Sequence, residues 1–306
     1  RMPPTCSCRW LRTPTSAKRG TTPRGDTLNS LFCCPICGEP LSRGEKAYRC
    51  PAGHSFDISA EGYVHLLPPN RMHAKIPGDN KQMVAARRAF LDAGHYQLFS
   101  DALNDLAARL LSGPDRPARI LDSGCGEGYY TGRLRDSLTE RGISAEAAGF
   151  DISKFAVKAA AKRYKGIEFA VASSFHIPAA AQSFDAIINV FAPIEPRELA
   201  RVLRPGGVFL YAVPSARHLY GLKQILYDRP YENEEKDVVY PGFLLEDRVP
   251  VRGTLELDDR AMIDALFSMT PYYWKTPADG SARLRETDCL NTEIGFDFLI
   301  YRRDMP

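Results

Sequence analysis

Apolar positions change their period several times along the 306-residue chain. Residues 1–32 show none: Arg, Ser, Thr and Pro dominate, and no hydrophobic run of a secretory signal is present. That segment reads as a disordered tail or a non-native start, with a transit peptide less favoured. Residues 33–70 form a Cys-, Gly- and Pro-rich unit ending in Pro68-Pro69. Helical spacing then takes over between Asn80 and Leu111. Met83, Phe90, Leu91, Leu98, Leu103, Leu106 and Leu110 recur there, with a break expected at Gly94.

From Arg119 the pattern becomes strand, glycine turn, helix, strand. ARILD (118–122), AEAAGF (145–150), IEFAV (167–171), FDAIINV (184–190) and GVFLYAV (207–213) read as strands. Helices are expected at Thr131–Leu138, Ser153–Tyr164 (opened by a Ser cap) and Glu195–Leu203. Such alternation predicts an α/β, Rossmann-like domain with right-handed crossovers and a mostly parallel sheet. LNTEIGFDFLIYRR (290–303) alternates apolar and polar residues, which suits an antiparallel C-terminal strand. The expected organisation is a tail (1–32), a small module (33–70), a helical connector (71–115) and the α/β domain (116–306).

Composition, at 44% hydrophobic and 25% charged, is that of a soluble globular chain. It holds no run of 18 apolar residues that would span a membrane. The net charge of +3 is uneven: +5 over residues 1–33, +3 over 34–88 and −5 over 89–306. A basic front on an acidic body suits a polyanionic partner, although scattered surface charge would give the same count. Four of the eight cysteines fall within Cys33–Cys50, a clustering that metal ligation explains better than disulfides. A reducing, cytoplasmic location follows.

Cys34-Pro-Ile-Cys37 and Cys50-Pro-Ala-Gly-His54 supply four ligands in two short pairs, the spacing of tetrahedral zinc. Cys33 could shift into register for Cys34, but the two-residue gap favours Cys34. With four protein ligands the ion is structural, and it stabilises a segment too short to build its own core. Cys6 and Cys8 receive no role.

Ile120-Leu-Asp-Ser-Gly-Cys-Gly-Glu-Gly128 runs from a strand into a helix, and Gly124, Gly126 and Gly128 allow a ligand close to the backbone. Nicotinamide and S-adenosylmethionine folds share such a turn. Three details favour S-adenosylmethionine. Asp122 would oppose a pyrophosphate but suits an ammonium and a sulfonium. Gly149-Phe-Asp151 places an acid where both ribose hydroxyls can be held. The Ala172-Ser-Ser174, Ile177-Pro178, FDAII and Leu203-Arg-Pro-Gly-Gly207 stretches follow in the order of class I methyltransferases.

The whole pattern resembles the bacterial 23S ribosomal RNA guanine-N1 methyltransferases over roughly residues 33–303. The shared stretches are the Cys34/Cys37/Cys50/His54 module, FDISAEGYVHLLPP (56–69), PGD (77–79), AARRAFLDAGHY (85–96), ILDSGCGEGYYT (120–131), SKFAVKAAAKRY (153–164), ASSFHIP (172–178), LRPGG (203–207) and RHL (217–219). The resemblance implies a zinc-containing RNA-recognition domain on a methyltransferase domain, a homodimer in many members, and the helix 35 hairpin of 23S rRNA as substrate. It places cofactor contacts on Tyr96, Gly126, Glu127 and His218, beside Asp122, Gly124 and Asp151 from the loop reading. Ser123 and the tail depart from the pattern.

Guanine N1 lies on the Watson–Crick edge and needs an unpaired or flipped base, as hairpin loops provide. No catalytic base is assigned. Asn189 could orient the guanine edge; Phe191 could stack on it or pack in the core. For Tyr272-Tyr-Trp274 core packing is favoured over stacking. Arg87 and Arg88 divide between phosphate grip and solvated surface; His95 stays unassigned and His176 reads as a plain loop residue. A small-molecule methyltransferase leaves the zinc module without purpose. A nucleic-acid-binding protein with a dead methyltransferase domain leaves GCGEG and Asp151 without purpose.

Overall fold

The computed structural model describes residues 28–72, 77–111, 116–235 and 238–305. Most of the expected tail, 1–27, lies outside the described residues, as do Cys6 and Cys8. Four short strands, β1 (Leu28–Cys33), β2 (Pro40–Arg43), β3 (Ala47–Arg49) and β4 (Ser55–Asp57), pair antiparallel in the order 1-2-3-4. The glycines at the two ligand turns, Gly38 and Gly53, take φ of +78° and +87°, which only glycine adopts readily.

β5 (Val64–His65) leaves this lobe and pairs parallel with β8 (Glu168–Val171) of the larger sheet. Helices α1 (Lys81–Asp92) and α2 (Gln97–Leu111) follow. Asn80 caps α1 by accepting from the Gln82 and Met83 amides. The break at Gly94, φ +85°, falls where the spacing placed it.

The larger sheet contains β6 (Ala118–Ser123), β7 (Ala145–Asp151), β8, β9 (Phe184–Val190), β10 (Leu203–Pro214), β11 (Phe243–Leu257) and β12 (Leu290–Arg303). Its order is β11-β12-β10-β9-β6-β7-β8-β5. Pairs from β10 through β5 are parallel, whereas β12 runs antiparallel to β10 and β11. Chain order reverses at β6, so a crevice opens at the carboxyl ends of β6 and β9, where ligands of open α/β sheets bind. Helices α3 (Tyr129–Glu140), α4 (Lys154–Arg163) and α5 (Pro196–Val202) connect the parallel strands; α6 (Tyr220–Leu226), α7 (Arg260–Ser268) and α8 (Ala278–Arg285) belong to the C-terminal part. Ser153 caps α4 through the Ala156 amide.

Strand β11 was not among the expected elements. Pro250, Gly253 and its many charges hide the alternation, and the edge position makes Pro250 tolerable. No helix among the described residues is long and apolar enough to cross a membrane.

The small lobe does not stand alone. Its Phe32, Leu41 and Tyr48 pack in one apolar cluster with Leu121, Phe150 and Phe184 of the large sheet. On β8, the Glu168 carboxylate accepts from the Ser30 hydroxyl (2.6 Å), the Leu31 amide (3.0 Å) and the Tyr48 hydroxyl (3.0 Å). One acid therefore fastens two ribbon strands to the large sheet.

Candidate functional site: a zinc knot and a cofactor cleft

Cys34, Cys37, Cys50 and His54 converge so that their ligand atoms all lie within 4.8 Å of one another. Individual separations are 3.6 Å (Cys34 Sγ to His54 Nδ1), 3.7 Å (Cys37 Sγ to Cys50 Sγ) and 3.4 Å (Cys50 Sγ to His54 Nδ1). Bonds of about 2.0–2.3 Å to a tetrahedral zinc demand edges of about 3.3–3.8 Å, so these atoms fit the ion. Cys33 points elsewhere: it is buried, and burial pushes its thiol pKa up while Arg201 opposes. The choice of Cys34 over Cys33 stands.

Tyr96, Asp122, Gly124, Gly126, Glu127, Asp151 and His218, spread over more than 120 residues of sequence, all line one cleft of about 860 Å³. The glycine loop shapes it. Gly124 has φ +87°, and a Cβ there would lie 2.2 Å from the Ala192 Cβ. Gly126, φ +54°, meets only Arg87 at 3.7 Å and leaves the backbone open to a ligand.

Asp151 accepts from the Gly126 amide (3.0 Å) and the Ser153 amide (2.8 Å), which bolts the loop to β7. Burial raises its pKa, with those amides pulling the other way. Glu127 is 4% exposed, and its Oε2 has no hydrogen-bond partner among the described residues. Burial raises Glu127 as well, opposed by Arg87. A buried acceptor left open at a glycine cradle is what a hydroxyl- or amine-bearing ligand would complete. Asp122 is fully buried, and burial pushes it up to about 7 despite the 2.5 Å bond from the Thr131 hydroxyl.

At the other end, His218 accepts from the Gly295 amide at Nδ1 (3.2 Å) and faces the Tyr96 hydroxyl at Nε2 (3.4 Å). Burial, with Lys223 and Arg252 nearby, lowers the imidazole to about 3, so it is neutral. An acceptor Nδ1 puts the proton on Nε2, which donates to Tyr96 Oη and leaves the phenol hydrogen free for the cleft.

Several wall residues depart from the sequence reading. Asn189 does not face the cleft as a reader of bases: its Nδ2 donates to the Ser123 carbonyl (2.7 Å) and its Oδ1 accepts from Ala192 (3.1 Å). Both amide groups shape the turn after β9 instead. Arg87 grips acids: it pairs with Asp79 at 2.5 Å and lies 3.9 Å from Glu127. Trp274, favoured as core, is 68% exposed at the cleft. His95 is not among the lining residues, and its buried Nε2 has no partner among the described residues. Gly78 and Asp79 bring the PGD segment into the cleft, where the Ser153 hydroxyl donates to the Asp79 carbonyl (2.6 Å). Asn233 also lines it, positioned by the buried Lys223 ammonium (2.7 Å), and no local motif announced either residue.

A parallel sheet of this order, a glycine cradle at its switch point and a zinc ribbon define a class I, S-adenosylmethionine-dependent methyltransferase with a structural zinc. Residues 32–75 match the family described as "RlmA, N-terminal", and residues 114–243 match one described as "Methyltransferase domain". A putative 23S rRNA (guanine-N(1)-)-methyltransferase of Micromonospora griseorubida is 35% identical over 272 residues, covering 82% of this chain and 90% of its own. The 23S rRNA (guanine(748)-N(1))-methyltransferase of Streptomyces fradiae is 34% identical, covering 82% and 88%. A putative 23S rRNA (guanine-N(1)-)-methyltransferase of Bacillus subtilis is 30% identical, covering 89% and 96%. The chain belongs to the 23S rRNA guanine-N1 methyltransferase family.

Proposed function

We propose that the protein methylates N1 of a guanine in the helix 35 hairpin of 23S ribosomal RNA, in the cytoplasm. In this reading residues 33–70 recognise RNA, 71–115 connect, and 116–306 hold S-adenosylmethionine. The observation that carries it is the convergence of the seven sequence-selected residues on one cleft, with the ribbon fastened to the same sheet through β5 and Glu168.

Held there by these residues, S-adenosylmethionine would supply an electrophilic methyl group for guanine N1, with S-adenosylhomocysteine as the second product and the N1 proton passing to solvent. Asp151, already fixed by two backbone amides, keeps lone pairs for the ribose hydroxyls. Glu127 offers its open Oε2 from beneath the loop. Asp122 balances positive charge at the end of β6, and Tyr96 donates the hydrogen that His218 leaves free. None of these groups needs to move, so catalysis is chiefly alignment, which can supply roughly 7–11 kcal/mol of a barrier. A small-molecule substrate would leave the fastened ribbon unused.

The test compares nuclease-digested 23S rRNA from cells with and without the gene by mass spectrometry. Loss of 1-methylguanosine from helix 35 fragments in the deletion is expected. Unchanged modification there would refute the substrate.

A further inference from the structure

The turn after β9 holds a residue in a conformation its side chain does not favour. Phe191 has φ +57°, the left-handed region, which costs a non-glycine residue on the order of 1 kcal/mol or more. The surroundings impose it. Asn189 closes the turn with both amide groups, and Ala192 is pressed against the glycine loop. The result is a ring held in the cleft wall, 44% exposed, with its inner face on buried Phe296 (4.3 Å) and His218 (5.6 Å). Phe191 is thus anchored on the core on one side while the residue stays partly open where it lines the cleft.

A second ring lies further out on the same cleft. Trp274 ends the 3₁₀ turn Pro271–Trp274, between α7 and α8. Thr276 bonds twice to the Tyr272 carbonyl and steadies that turn (2.9 and 2.8 Å). The indole itself is 68% exposed, and its ring contact among the described residues is the edge of Tyr273, at 4.9 Å. Trp is highly buried on average in folded chains, so an indole this open on the wall of a cleft offers a ring face to a ligand. The cleft volume, about 860 Å³, stands near the top of the ~300–1,000 Å³ usual for one small ligand, which leaves room beside a cofactor.

We propose that Phe191 and Trp274 form a two-base clamp: Phe191 stacks on the target guanine, and Trp274 on an adjacent unpaired base at the mouth. The inference rests on the RNA-methylating reading above and narrows it. The substrate must offer two neighbouring bases free of pairing, so a loop guanine is accepted and a duplex guanine refused. Aromatic faces suit this task because stacking tolerates any base, leaving sequence choice to polar groups elsewhere.

The chain has two tryptophans, Trp10 and Trp274, so a full-length Trp10→Phe protein reports on Trp274 alone. Titration with a 23S helix 35 hairpin should quench its emission at the concentrations that saturate methylation, whereas the same guanine in a duplex should not. Trp274→Ala should raise the KM for the hairpin about 5–100-fold, the equivalent of about 1–3 kcal/mol per stacked base. Its affinity for S-adenosylmethionine should stay within twofold, and Trp274→Phe should recover most of the loss. Phe191→Gly keeps the left-handed backbone while removing the ring, and should lower kcat more than it raises KM. A hairpin methylated without quenching, or unchanged KM in Trp274→Ala, would overturn the clamp alone. A hairpin that is neither methylated nor able to quench would overturn both the clamp and the substrate it rests on.

Discussion

The zinc ribbon and the cofactor lobe solve the same problem, fixing a few side chains in space, with different means. The ribbon has strands of three to six residues and ties them with four ligands. The cofactor lobe relies on a large apolar core and can therefore hold Asp122 and Glu127 buried, with Asp151 beside them, at one cleft. The ribbon is not autonomous, however: its apolar residues continue into the large core, and Glu168 seals the seam. Metal sets its local geometry, while the neighbouring lobe sets its orientation. The comparison predicts that damage on the ribbon side should leave cofactor binding nearly intact, and the reverse.

Losing the ion should have the largest effect. Apparent zinc binding is worth about 10–16 kcal/mol in small zinc-finger peptides, so removing one ligand undoes the knot. In Cys37→Ser, zinc content should fall to near zero and RNA methylation should be lost, while calorimetry finds S-adenosylmethionine affinity within a few-fold. A parallel collapse of cofactor binding would show that the lobes are one folding unit and break the comparison.

Next comes Gly124→Ala, which adds a Cβ 2.2 Å from Ala192 at φ +87°. Overpacking of this kind costs about 1–3 kcal/mol, or roughly 5–100-fold in cofactor affinity. Zinc content should be unchanged. A comparable effect, on stability and turnover instead of cofactor affinity, is expected of Glu168→Ala at the seam. It removes a carboxylate acceptor shared by three donors, at about 1.5–3 kcal/mol for such a hydrogen bond, and strands the Tyr48 hydroxyl, whose residue is 1% exposed. Thermal stability and hairpin turnover should fall together while both zinc and cofactor still bind. Full turnover in this variant would mean that the ribbon needs no fixed orientation.

The two lobes also differ in how much of them the sequence reveals. Zinc ligands declare themselves because tight turns keep them three or four residues apart, so Cys34–Cys37 and Cys50–His54 are readable without any fold. The glycine loop is similar: strand, turn and helix are local, and Asp151 follows at the end of the next strand. The walls were harder. Asn189 had the right position and the wrong role, because its partner Ser123 becomes a neighbour only after β9 pairs with β6, while Ala192 closes the local turn. Arg87 divided between phosphate grip and solvated surface, and neither reading foresaw Asp79 and Glu127 beside it. Lys223, fully buried beneath Asn233, is unreadable from sequence, since nothing local tells a buried lysine from a surface one. Strand β11 was hidden because an edge strand needs alternation on one face only, and Pro250 reads as a break.

The last expected effect concerns pH, and it isolates a cost that the cofactor lobe carries. Burial lifts Asp122 from an ordinary 3.8 to about 7. The folded protein thus keeps this proton where the unfolded chain has already released it, and folding takes up a proton between about pH 4 and 7. Stability from this group is complete below the unfolded value and is lost as pH rises through the folded one. Asn at this position mimics the protonated acid and can still accept from Thr131, whose hydroxyl donates in the native pair. The Asp122→Asn protein should therefore gain on the parent in Tm between pH 5 and pH 8. The gain should be about 5–10 °C, since the part of this shift that falls between pH 5 and pH 8 is worth about 2–3 kcal/mol and about 1 kcal/mol moves Tm by roughly 2–4 °C in a domain of 150–250 residues. Parallel Tm curves for the two proteins would mean that water or a neighbouring cation already neutralises the acid. The core would then carry no such penalty, and the cofactor lobe would differ from the ribbon less than the geometry implies.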